Sequence, residues 1–74
     1  MDALEILEEL RGEISDILSN YHFSLQQIQT KHKSALDTTD SRYIDMERKA
    51  RYAILAYGTA LQLVDALIRE QTRQ

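Results

Sequence analysis

Apolar side chains recur at steps of three and four residues along almost the whole chain, and only one short segment interrupts them. In the first half the series is Leu7, Leu10, Ile14, Ile17, Tyr21, Leu25, Ile28, His32 and Ala35, with Leu4 and Leu18 widening the stripe. In the second half it is Met46, Ala50, Ala53, Ile54, Tyr57, Ala60, Leu61, Val64, Leu67 and Ile68. That spacing places one apolar face along a helix and is incompatible with the two-residue period of a strand. The chain has no proline and only two glycines, Gly12 and Gly58, so nothing else forces a break. The fold class expected is therefore all-α.

The interruption is Asp37-Thr38-Thr39-Asp40-Ser41. These short polar side chains compete for backbone hydrogen bonds and favour turns and caps. The reading is a single domain over 1–74: helix 1 over about 2–36, a turn at 37–41 and helix 2 over about 41–71. Asp2, with Glu5 three residues on, has the form of an N-cap for helix 1, and any of Thr39, Asp40 or Ser41 can cap helix 2. Two nearly equal helices joined by a short connection lie antiparallel, as a long coiled-coil-like hairpin. Arg69 and Arg73 would then run beside the acidic opening of helix 1.

Helix 2 carries a second apolar series, Tyr52, Leu55, Ala56, Leu63 and Ala66, which cannot face helix 1 together with the first. At 74 residues without cysteine, neither a large core nor a disulfide is at hand to offset that exposure. The expectation is a homo-oligomeric helical bundle, with Phe23, Tyr52, Leu55, Ala56, Leu63 and Ala66 as the oligomer or partner interface. The alternative is a three-helix monomer, made by a break near Asn20. The run Ala50, Ala53, Ala56, Gly58 and Ala60 reads as close helix packing, with room for a ligand as the other reading.

Function is constrained mostly by exclusion. There is no glycine-rich phosphate loop, no nucleophile turn and no Glu-x-x-His or His-Glu-x-x-His pattern. His22 and His32 lie ten residues apart, too far to share an ion. An enzyme, a cofactor and a metal are therefore not expected, and His32 reads as a partly buried polar residue. A net charge of −3 argues against nucleic acid. No apolar run suits a membrane, the N-terminus is acidic where a signal peptide is basic, and the expected location is the cytoplasm.

Six of the nine basic residues gather at the turn end: Lys31, Lys33, Arg42, Arg48, Lys49 and Arg51. With Tyr43 and Tyr52 beside them, Lys31, Lys33, Arg42, Arg48 and Arg51 form a candidate anion- or ligand-binding set. Asp37, Asp40, Asp45 and Glu47 lie among these bases and favour a solvated, salt-bridged surface, with Asp45 pairing Lys49. In size and hairpin character the chain resembles small phage-encoded proteins that inhibit or sequester host components, an architectural likeness that carries no residue across. Two functions follow as expectations. One is a non-enzymatic oligomer that binds or inhibits a protein partner; the other is a sequestering protein that holds an anionic, nucleotide-like molecule between protomers.

Overall fold

The computed structural model describes residues 2–35 and 40–73. They form two helices packed side by side, α1 (Ala3–Ser34) and α2 (Ser41–Thr72), and the described residues contain no strand. Each has 32 residues, hence about 48 Å of helix at 1.5 Å per residue. The hairpin measures 57 × 15 × 14 Å. α1 runs unbroken through Gly12 and Asn20, so the third helix does not form.

The ends follow local chemistry. Asp2 caps α1, its carboxylate accepting from the Glu5 amide at 2.8 Å. Asp40 caps α2, accepting from the Arg42 amide at 3.0 Å. α1 ends at Ser34, two residues before the boundary read from the sequence. Ser34 turns its hydroxyl back to donate to the carbonyls of Thr30 and Lys31, and Ala35 is already extended. Lys31, His32 and Lys33 occupy the last turn, where positive charge suits the helix dipole. α2 begins at Ser41, where the sequence reading started helix 2, and residues 36–39 of the expected turn lie outside the described residues.

The seam obeys a stricter rule than the sequence reading gave it. Counting alternately by three and four, α1 presents Leu4, Leu7, Arg11, Ile14, Leu18, Tyr21, Leu25, Ile28 and His32. α2 presents Tyr43, Glu47, Ala50, Ile54, Tyr57, Leu61, Val64 and Ile68. All of these are buried or half-buried except Arg11 and Tyr21. Such a seven-residue repeat is the pattern of a two-stranded coiled coil. It corrects the expected stripe: Leu10, Ile17, Met46 and Leu67 lie outside the seam and are exposed.

Polar side chains hold three seam places. Arg11 reaches across to the Asp65 carboxylate, with Nε donating to Oδ1. His32 Nδ1 and Glu47 Oε1 lie 3.0 Å apart, both half-buried. The two make a hydrogen bond in the tautomer whose proton sits on Nδ1. Single polar places in a seam fix register at some cost in stability. Tyr21 stacks on Tyr57 with ring centroids 5.6 Å apart. The cross-helix pair near the termini thus has its base on α1 and its acid on α2, opposite to the polarity expected from Arg69 and Arg73.

Candidate functional site

The turn-end bases do not converge on one pocket. Arg42, the second residue of α2, folds onto its own cap: Nη2 donates to Asp40 Oδ2 at 2.9 Å, and Nε lies 3.3 Å from both carboxylate oxygens. The side-chain hydrogen bond from Arg42, then its backbone amide, hold the Asp40 carboxyl below the usual carboxylate range. The same side-chain bond raises Arg42. Tyr43 turns into the seam and stacks on His32 at 5.4 Å, with the rings 8° from parallel. Lys33 borders a depression formed by Gln26, Gln27, Gln29 and Thr30 of α1, and Lys31 is exposed on the last turn.

Three members of the set do share a surface. Arg48, Arg51 and Tyr52 line a shallow depression on α2 with Ile44, Glu47 and Leu55. Arg48 also lies 4.0 Å from Asp45, an i,i+3 pair where the sequence had suggested Lys49 as the partner. Among the described residues, no group of three or more His, Cys, Asp or Glu side chains is placed to hold a metal ion. Among the described residues, no helix is long and apolar enough to cross a membrane.

The apolar candidates are all exposed and fall into separate surfaces. Tyr52 and Leu55 border the depression beside Arg48, at 64% and 66% exposure. Leu63 and Ala66 border another with Leu67, Arg69 and Glu70, nearer the C-terminal end of α2. Phe23 is 63% exposed on α1, and Ala56 is exposed between the two α2 surfaces. The small-residue run divides likewise: Ala50 is buried in the seam, Ala53 and Ala60 flank it, and Ala56 faces out. A Cβ built on Gly58 meets nothing within 4 Å, so α1 makes no close approach there.

One surface was missed from sequence. Tyr21, Ser24 and Ile28 of α1 and Met46, Lys49, Ala50 and Ala53 of α2 line a common depression, so these parts of both helices open to the same side. Stepping by seven from Ser24 reaches Ile17 and Leu10; stepping by seven from Met46 reaches Ala53, Ala60 and Leu67. This apolar flank of the seam was hidden because Leu10 and Ile17 had been assigned to the seam itself. Comparison with known protein families, with characterised proteins and with solved structures finds no match.

Proposed function

We propose that this chain is a non-enzymatic interaction protein, a helical hairpin that assembles with copies of itself and in that form binds or inhibits a protein partner. The observation that carries this reading is the surface left open. A compact chain of 8.6 kDa exposes about 4,700 Å² by the usual size scaling, whereas this one exposes 5852 Å². Its radius of gyration is 16.8 Å, against about 11 Å for a globule of this length. Among the described residues only Ile14, Ala50 and Val64 are buried, while Leu55, Leu63, Leu67, Ile6 and Met46 remain in contact with water. Burying such a side chain is worth about 1.5–3 kcal/mol, so association has a large favourable term available.

Sedimentation at micromolar concentration tests the reading: the expected mass is at least twice the 8.6 kDa chain. Leu67→Glu is expected to weaken association far more than Glu70→Ala, because it sets a charge within packed apolar surface. A stable, monodisperse monomer overturns the reading.

A second reading is capture of an anionic, nucleotide-like molecule between protomers, and the shared surface of Arg48, Arg51 and Tyr52 favours it. Guanidinium groups offer forked donors and the phenol ring a stacking face. Native mass spectrometry would then find a retained anion, lost from Arg48→Glu with Arg51→Glu at unchanged helicity. Arg42 and Tyr43 contribute less to this reading, being engaged by Asp40 and His32.

A further inference from the structure

We infer that the hairpin pairs with a second copy of itself through the flank formed by Leu10, Ile17, Met46, Ala53, Ala60 and Leu67, with the turn end of one copy against the terminal end of the other. This rests on the self-assembly proposed above and specifies its surface and direction. The flank belongs to both helices, so a partner laid on it covers α1 and α2 at once and converts two helices into four around one core. The back of α2, which carries Tyr52 and Leu55, offers a partner only one helix.

Area supports a second copy as the occupant. The exposed surface exceeds that of a compact chain by roughly 1,100 Å², more than the ~800 Å² per partner of a standard stable interface. Removing a surface of that size from each of two identical chains returns both to the exposure of ordinary folded proteins.

Charge sets the direction. Counted along the sequence, the terminal half (residues 2–19 and 57–73) carries eight acidic and three basic side chains. The turn half (residues 20–56) carries four acidic and six basic ones. Each hairpin therefore runs from a net charge of −5 to one of +2 along its length. Copies laid turn end to turn end would stack the two strongly negative ends. Laid in opposite directions, each negative end meets a positive one, and the attraction acts within the ~8 Å screening length of physiological salt.

The spacing on α2 fits the same direction. Met46, Ala53, Ala60 and Leu67 are placed symmetrically about the midpoint of Ser41–Thr72. Two α2 helices crossing there in opposite directions set Met46 against Leu67 and Ala53 against Ala60. Small residues meet at the centre, where the backbones must come closest, and large ones fill the space further out.

The chain has no cysteine, so introduced thiols report on this arrangement alone. Met46→Cys and Leu67→Cys chains are prepared separately, checked for helicity by circular dichroism, and oxidised alone and as an equal mixture. The expected result is a cross-linked dimer in the mixture and little in either variant alone, since like positions lie about 31 Å apart at 1.5 Å per residue. Cross-linking of each variant with itself overturns the direction. If no sample cross-links although each sediments as a dimer, the surface is wrong while self-assembly stands; monomeric sedimentation of the unmodified chain overturns both.

Discussion

The two flanks of the seam are built by the same pair of helices and differ in nearly every side chain. On one, seven-residue steps give Leu10, Ile17, Ser24 and Lys31 on α1 beside Met46, Ala53, Ala60 and Leu67 of α2. On the other, seven-residue steps give Glu8, Ser15, His22 and Gln29 on α1, with Ile44, Arg51, Gly58 and Asp65 on α2. The seam between them is the same, so hairpin formation does not explain the contrast. A lone hairpin gains nothing from making one flank apolar, because both flanks would meet water equally. The difference is what the proposed second copy on one side would require.

The largest effect expected from that contrast comes from placing charge on each flank in turn. Leu10→Glu with Leu67→Glu removes two apolar side chains per chain and sets two carboxylates in their place. The cost is about 3 kcal/mol or more, so the dissociation constant should rise over 100-fold in sedimentation equilibrium. His22→Glu with Arg51→Glu on the polar flank should change it less than about tenfold, as exposed charges contribute little. Equal effects from the two pairs would erase the distinction between the flanks.

A smaller effect is expected in the seam, which both flanks share. Glu47→Ala removes the carboxylate 3.0 Å from half-buried His32 and should destabilise the protein by about 1–2 kcal/mol, measured by urea unfolding. His32→Leu together with Glu47→Leu should be neutral or stabilising, because an apolar pair needs no desolvated partner. The double variant should also lose uniqueness of register, visible as broadened amide resonances. If it keeps sharp spectra, Arg11 and the tyrosine stack suffice to fix the alignment.

These polar seam places explain how much was legible beforehand. The Asp2 cap, the turn cluster and the class of fold follow from residue chemistry within a few positions. The phase of α1 did not, because a charged residue was not accepted as a seam member. Counting backward by alternating steps from Tyr21 leads through Leu18 and Ile14 to Arg11, and only a partner such as Asp65 on the facing helix makes Arg11 acceptable there. That partner lies 54 residues away, beyond the reach of local pattern. The same slip concealed the apolar flank. At the candidate anion surface, sequence placed the bases at one end, but it could not separate Arg42, drawn onto Asp40, from Arg48 and Arg51.

Acid should act on the helix ends before the apolar flank. Asp40 is held below the ordinary carboxylate range when α2 is folded, chiefly by the Arg42 side chain. A depressed pKa means the folded state favours the charged form, so its contribution is complete above the unfolded value of about 3.9. It is lost as pH falls below that value through the lower folded one. Helicity followed by circular dichroism should fall in that window for the unmodified chain, and Asp40→Asn should flatten this part of the profile while retaining a cap.

The smallest expected effect discriminates between the flanks most cleanly, because it adds a single methyl group. Gly58 lies on the polar flank and Gly12 on the exposed back of α1, and a Cβ at either meets nothing within 4 Å. Alanine is the better helix former, so Gly58→Ala and Gly12→Ala should each stabilise the protein by about 0.5–1 kcal/mol, read as a rise in the urea midpoint. A partner on the apolar flank leaves Gly58 open, and the two substitutions should then act alike and leave the dissociation constant unchanged. A partner seated on the polar flank would bring its backbone against Gly58, and the added methyl would meet it. Gly58→Ala would then weaken association while Gly12→Ala still stabilised. Divergence between these glycines would therefore move the interface to the other side of the seam, with no charge or large side chain introduced to complicate the result.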